Sequence, residues 1–456
     1  MLDLNFILSS THGRLISGKS GSVFSGVSTD TRKITKDEIF FALKGDNFDG
    51  EDFIKEAFNR GASGVVVESI SSQDLNGKVL IQVPSTLRAL GDLASDWRMS
   101  FPDLKVAAIT GSNGKTTTKE MTWSIVSLKH KTLKNTGNFN NLIGLPLTLF
   151  ELKNENTAAV LEVAMNDFGE IRRLSEIARP DIGAITNIGH AHLEKLGGLD
   201  GVAKAKGELV ENFNEHNVFV VNLDDLRVER IANGLNCQKI TYGINAKGAM
   251  ISASHIESSD FSNITFDMNV QGIEFPVRLK GIGLHNVMNS LCAAGIALSL
   301  GCDTAQICEG LERFTPTKMR LQVLDTPFGF KVINDAYNAN PDSMKRAIDE
   351  LVRLKGGGKA IAVLGDMLEL GEASEYEHRE IGKYLSVSGV DDVITYGKYA
   401  ANILDGASNS TNCFHAKTHQ DAAKILIDTA KPNDLVLLKG SRGSRMEQVI
   451  KGLIEE

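Results

Sequence analysis

Seven consecutive residues, Gly111-Ser112-Asn113-Gly114-Lys115-Thr116-Thr117, bring glycines, a lysine and hydroxyls together at the spacing of a phosphate-holding turn. In such a turn the backbone N–H groups and the positive end of the following helix point at phosphate oxygens. Lys115 would neutralise the β- and γ-oxygens, and the hydroxyl of Thr116 would ligate Mg2+. The general pattern G-x-x-x-x-G-K-[ST] asks for glycine at 109, where Ile109 stands, so a glycine turn capping an ordinary helix is the competing reading. Glu162 interrupts Ala158-Ala159-Val160-Leu161-Glu162-Val163-Ala164, a run otherwise fit for burial. An unpaired carboxylate there would cost several kcal/mol or take up a proton, so either a bound cation or an edge-strand position facing water must accommodate it. On a helix, Lys204 and Glu208 fall within about 40° of each other as a solvated pair, while Lys206 points roughly 160–200° away, near Val202, Leu209 and Val210. Lys206 either snorkels along that apolar face or is a lysine tuned by burial. The two imidazoles of Gly189-His190-Ala191-His192 suit a metal or an ordinary loop equally well.

Positioning these groups calls for a parallel sheet. Residues 106–110 form a continuous apolar run, as expected of a strand covered on both faces, and 115–128 is helix-like. Residues 158–163 and 182–185 read as further strands, which puts the turn, Glu162 and the His loop at the carboxyl edge, where open α/β sheets bind ligands. Residues 216–280 read as shorter strands and turns, and 286–300 as an Ala-rich helix. Upstream, strand-like runs at 39–43, 64–67 and 79–81 alternate with turn residues, and 87–99 is patterned as a helix leading to Phe101-Pro102-Asp103. From Thr315-Pro316 onward, apolar runs at 330–333, 360–364, 393–395 and 435–438 alternate with helical stretches, and Asp335, Asp366 and Lys439 each follow one. The expected fold is α/β in three domains: a small α/β unit at 1–85, a central parallel-sheet ATPase of phosphate-loop type at 86–315, and a Rossmann-like doubly wound domain at 316–456. Two carboxyl edges, one from each of the larger domains, are then expected to face each other across a nucleotide.

Composition narrows the class. With 49 Lys+Arg against 57 Asp+Glu the net charge is −8, which argues against a general nucleic-acid binder. Hydrophobic residues at 42% and charged residues at 23% fit globular domains with real cores. No apolar run reaches the ~18 residues of a membrane span, and Met1-Leu2-Asp3-Leu4-Asn5 has no basic n-region, so a cytoplasmic protein is expected. The five cysteines are too few and scattered for a disulfide framework. With no coiled-coil seam in the sequence, a monomer is expected.

The chain resembles the Mur ligase family, ATP-dependent amide-bond formers of peptidoglycan synthesis, over essentially its whole length. That family's turn reads T-G-[ST]-x-G-K-[TS], which residues 110–116 match, so the missing glycine at 109 is expected. Thr136-Gly137-Asn138-Phe139-Asn140-Asn141 with Gly144-Leu145-Pro146 resembles its next loop. By that resemblance Glu162 and His192 ligate Mg2+, at two sites, and Lys206 carries a carbamate that completes the metal set. His285, Asn286 and Asn289 match the adenine side, Arg320 the arginine that reaches the phosphates from the third domain, and Asp335 the ribose. Ser28-Thr29-Asp30-Thr31-Arg32 with Lys44-Gly45 resembles the uridine-nucleotide site, although Glu51 stands where His is expected. Tyr337, Asn338 and Asn340, with Asp366, fall in the two segments particular to the member that adds D-alanyl-D-alanine.

The resemblance implies an ADP-forming ligase, catalysed through Lys115, Glu162, His192, Lys206 and Arg320, that joins D-alanyl-D-alanine to UDP-N-acetylmuramoyl-tripeptide through an acyl phosphate. Its cofactors would be ATP and Mg2+, and its product the last cytoplasmic peptidoglycan precursor, which links it to cell shape and division. Two other readings compete: another amide ligase of this architecture, such as a folylpolyglutamate synthase, and a nucleotide-hydrolysing switch. The switch predicts a guanine-reading Asn-Lys-x-Asp, and the sequence has none.

Overall fold

Lys105–Thr110 is a strand because five apolar or small residues in succession can be covered on both faces, and all but Lys105 are buried. It pairs in parallel with Ala158–Glu162 on one side and Ile182–Ile185 on the other. The computed structural model describes residues 1–45, 48–69, 77–190, 193–258, 261–407 and 411–454. Among the described residues, this strand belongs to a nine-stranded sheet ordered Thr132–Lys134, Ala158–Glu162, Lys105–Thr110, Ile182–Ile185, Val218–Asn222, Gln238–Gly243, Ile251–Glu257, Asn263–Val270, Ile273–Lys280. The chain leaves Lys105–Thr110 first to one side of the sheet and later to the other, so the phosphate turn sits at a topological switch point.

The stretch 216–280 departs from the expected run of short strands and turns. It holds the helix Leu226–Asn233, capped by Asp225, and ends in two strands of eight residues, Asn263–Val270 and Ile273–Lys280, that extend the sheet antiparallel. The charges of Arg227, Glu229 and Arg230 hide a short amphipathic pattern in which Val228 and Ala232 are the buried positions.

The third domain carries, among the described residues, six strands in the order Gln322–Asp325, Lys331–Asp335, Leu435–Lys439, Ala360–Leu364, Asp392–Tyr396, Asn412–Ala416, parallel except for the first pair. The first sheet runs Arg14–Ser17, Val79–Gln82, Gly64–Val67, Ile39–Phe41, Val27–Ser28. The helix Thr86–Met99 serves two cores: Ala89, Leu90 and Leu93 pack with the first sheet, and Ala94 packs under the central one. The architecture is the expected α/β with parallel sheets. No helix among the described residues is long and apolar enough to cross a membrane.

Candidate functional site

Backbone geometry builds the phosphate turn. Gly111 has φ 147°, and a Cβ there would lie 1.9 Å from the Thr186 hydroxyl. Gly114 has φ 83°, and its Cβ would meet Asn289 Oδ1 at 2.3 Å. Any side chain at either position would push apart the strand end and the helix Leu284–Ser299 that flank the turn. The Asn113 N–H donates to Asn187 Oδ1 at 3.0 Å, and its carbonyl accepts from the Thr186 hydroxyl at 2.6 Å and Asn187 Nδ2 at 3.0 Å. The helix Lys115–Val126 follows with no side-chain cap, leaving its first N–H groups for a ligand. Lys115 Nζ folds back to donate to the carbonyls of Gly111 at 2.6 Å and Ser112 at 3.3 Å. Loss of water pushes its pKa down; Glu162 opposes that shift and Arg320 adds to it.

Glu162 is 3% exposed and lies on an interior strand, so it does not face water from a sheet edge. Its Oε2 accepts from the Thr116 hydroxyl and its Oε1 from Asn140 Nδ2, both at 2.8 Å. Asn135 grips the Glu162 backbone from both sides, accepting its N–H at 2.9 Å and donating to its carbonyl at 2.8 Å. Buried Lys119 donates to the Asn135 carbonyl at 2.6 Å. Asn135 and Lys119 are missing from the sequence reading because their value lies in whom they touch. The one available signal was a lysine inside the helix after the turn.

Lys206 is 1% exposed on Leu199–Gly207, so it does not snorkel. Burial drives its pKa well below the usual lysine value, and the charge of Lys115 adds to the shift. Glu208 is not the solvated partner of Lys204. It is 4% exposed and accepts from the N–H groups of Gly169, at 2.9 and 3.0 Å, and Arg172, at 3.2 Å, which caps the helix Glu170–Ala178 from outside. A wheel drawn from residues 204–208 cannot see an acceptor being claimed by a helix some 39 residues away. His192 lies outside the described residues.

The third domain reaches into this site. Arg320 Nη2 donates to the Thr116 hydroxyl at 2.9 Å, and its guanidinium stacks 4.2 Å from the Tyr337 ring centre. Asn340 Nδ2 donates to Asn113 Oδ1 at 2.9 Å, and Asp342 accepts the His190 N–H at 2.8 Å. Asp335 forms an ion pair with buried Lys439, which also donates to the Asn338 carbonyl at 3.0 Å. His285 lies between the two domains and its pKa falls to about 4; loss of water is the main cause, opposed by Asp335 and Glu350. Asn286 donates to the Ile282 carbonyl at 2.7 Å, and Asn289 sits against the turn. Asp366 lies elsewhere on the third domain's carboxyl edge, accepting the N–H groups of Lys398 at 2.8 Å and Tyr399 at 3.0 Å.

In the first domain Ser28 ends one parallel strand, and Lys44-Gly45 follow the end of its neighbour Ile39–Phe41, so the two predicted clusters share a carboxyl edge. Asp30 caps the turn Thr31–Lys33 and pairs with Arg32 at 2.8 Å; Lys44 pairs with Asp49 at 3.2 Å. Thr29 joins the strand to that turn. Glu51, where the resemblance expects His, uses one oxygen to accept the N–H groups of Glu68 and Ser69, both at 2.8 Å.

Two buried donors at the turn, Asn113 Nδ2 and Arg320 Nε, have no acceptor among the described residues. Donors left over beside a glycine-rich turn fit the oxygens of a polyphosphate. The Thr116 hydroxyl and Glu162 carboxylate are hard oxygens, as Mg2+ prefers. No group of three or more His, Cys, Asp or Glu among the described residues is arranged to hold a metal.

Residues 23–98 match the model of the Mur ligase family catalytic domain, 109–297 the Mur ligase middle domain and 319–442 the Mur ligase glutamate ligase domain. The UDP-N-acetylmuramoyl-tripeptide–D-alanyl-D-alanine ligase of Bacillus subtilis is 38% identical over 437 residues, covering 95% of this chain and 94% of that one. Its Escherichia coli counterpart is 34% identical over 438 residues, covering 94% and 93%. Among solved structures, a MurF from Acinetobacter baumannii superposes with a TM-score of 0.92 at 32% identity, covering 100% of this chain and 99% of that one. The MurF ligase of Thermotoga maritima in complex with ADP gives 0.83 at 29%, covering 94% and 96%.

Proposed function

The chain belongs to the Mur ligase family, and from that premise we propose that it is a cytoplasmic, monomeric, ATP-dependent ligase that joins D-alanyl-D-alanine to UDP-N-acetylmuramoyl-tripeptide, releasing ADP and phosphate. The observation that carries the chemistry is Arg320, from the third domain, donating to Thr116 of the phosphate turn. The substrates follow from the names of the relatives, which cover nearly the whole chain.

A carboxylate is a poor electrophile and must be activated before an amine can attack it. The tripeptide carboxylate attacks the ATP γ-phosphorus and ADP leaves, giving an acyl phosphate. The neutral amine of D-alanyl-D-alanine attacks the acyl carbon, the tetrahedral intermediate expels phosphate as its C–O bond breaks, and the amine proton is lost to give the amide. The difficulty is electrostatic: two unit charges about 4 Å apart repel by ~4 kcal/mol at an effective dielectric near 20, and several negative charges meet here. Lys115 and Arg320 offset that repulsion, and the N–H groups at the uncapped start of the helix, 114–117, hold the β- and γ-oxygens in line. Mg2+, when bound, adds Lewis-acid neutralisation of the phosphates. Thr116 and Glu162 would hold it, with His192 and Lys206 as further ligands.

Lys206 serves that role as a carbamate. Its neutral amine attacks CO2, a proton leaves, and an N-carboxylate replaces the ammonium. An ordinary lysine at pH 7 is neutral in only about one molecule in a few thousand. Burial and the neighbouring charge of Lys115 both raise that fraction, and the resulting anion turns the repulsion from Lys115 into attraction. His285, Asn286, Asn289 and Asp335 are the proposed adenosine contacts. The 28–32 and 44–45 clusters are the proposed uridine-nucleotide side, and Tyr337, Asn338 and Asp366 the proposed dipeptide side.

The test is phosphate release with Mg2+ and ATP, adding each co-substrate separately and then together. Release that requires both the tripeptide and D-alanyl-D-alanine is expected. Equal release without the amine, or with glutamate in its place, would contradict the reading.

A further inference from the structure

Asn340 directly precedes the helix Pro341–Leu354, and its Oδ1 accepts the Ser343 N–H at 2.9 Å, while the Ser343 hydroxyl accepts the Asn340 N–H at 3.0 Å. With Oδ1 committed to its own helix, the amide can offer only Nδ2–H outward, and that group donates to Asn113 Oδ1 at 2.9 Å. The bond then fixes the Asn113 amide, because a reversed Asn113 would set two NH2 groups against each other. Asn113 Nδ2 consequently faces away from Asn340, buried and with no protein acceptor among the described residues. A second tie keeps the two domains in register. Asp342 accepts the His190 N–H at 2.8 Å, and Gly189 runs so close that a Cβ would lie 2.5 Å from Asp342 Oδ2.

We propose that Asn340 is a positioning residue for the nucleotide: from across the domain boundary it orients Asn113 so that the free Nδ2–H meets a phosphate oxygen of ATP. This rests on reading 111–117 as the ATP phosphate turn. It also moves Asn340 from the dipeptide side, where the sequence resemblance puts it, to the nucleotide side.

Two substitutions separate this role from helix capping. Asp and Ser cap a helix about as well as Asn, so Asn340→Asp and Asn340→Ser both keep the start of Pro341–Leu354. Asn340→Asp presents an acceptor to Asn113, which then turns its Nδ2 toward Asp and withdraws it from the phosphate. Asn340→Ser releases Asn113 without reversing it. The expected result is an ATP KM raised about 10- to 100-fold in Asn340→Asp, the range for loss of a hydrogen bond to a charged group. Asn340→Ser should show a smaller rise, and both variants should keep the dipeptide KM and the thermal midpoint of the wild type. A wild-type ATP KM in Asn340→Asp, or a rise in the dipeptide KM instead, overturns the proposal. Should Asn340→Asp be unstable, Asn113→Ala removes the donor without touching the helix and must reproduce the ATP defect; a wild-type ATP KM there overturns the proposal equally. Failure of the wild-type protein itself to bind ATP would instead bring down the functional reading.

Discussion

Lys206 holds its amine in a dry place, within reach of the charge of Lys115. Both facts disfavour the protonated amine, and the proposed carbamate would turn the repulsion from Lys115 into attraction, its own buried charge being paired with Lys115 and a bound cation. Lys206→Ala is therefore expected to lose at least about 100-fold in kcat, the order of effect seen when an electrostatic group is removed from a reaction centre. A small carboxylic acid added to the medium should restore part of the loss by filling the vacated carboxylate position. Wild-type turnover by the alanine variant would rule out the carbamate, and so would an unrescued loss in the variant together with no 13C carbamate signal from wild-type protein supplied with labelled bicarbonate. Lys206 was legible because it stands alone on an apolar face, and Glu162 because it interrupts a buried strand. Asn135, which holds the Glu162 backbone, and Lys119, which holds Asn135, were not, since hydrogen bonds from a loop to a strand and a helix leave no mark in periodicity.

At the scale of elements, the carboxyl ends of parallel strands do most of the positioning, and continuous apolar runs announce them. The connections that brace those ends are harder to read. The helix Glu170–Ala178 begins at Gly169, which has no side chain to cap it, and the acceptor comes instead from Glu208, one residue beyond the helix Leu199–Gly207 that carries Lys206. Glu208→Ala leaves these N–H groups without their acceptor and is expected to cost about 1–3 kcal/mol of stability, read from denaturant midpoints at constant m-value. An unchanged midpoint would show that the cap contributes nothing. In the sequence Glu208 looked like a surface partner of Lys204, because helical spacing ranks neighbours on one helix and ignores the helix packed across from it. For the same reason Leu226–Asn233 was lost among turns: eight residues with two buried positions give too short a pattern to register.

At the scale of the whole molecule, the proposed catalysis depends on two carboxyl edges meeting. The sequence layout anticipated that meeting, and the resemblance put Arg320 at the phosphates, but the contacts of Asn340 and Asp342 were not foreseen; all of them join residues far apart in the chain. Arg320 and Thr116 are separated by 204 positions, Asn340 and Asn113 by 227, and Asp342 and His190 by 152. The interface brings the Arg320 guanidinium of one domain onto the Thr116 hydroxyl of another, which in the proposed reaction places a cation beside the phosphates. The central claim is that this assembled charge lets ATP activate the tripeptide as an acyl phosphate. The most direct measurement follows oxygen-18 from the tripeptide's reacting carboxylate during turnover with Mg2+, ATP and D-alanyl-D-alanine. One labelled oxygen should appear in inorganic phosphate for each amide formed. Amide formation accompanied by unlabelled phosphate would contradict the account.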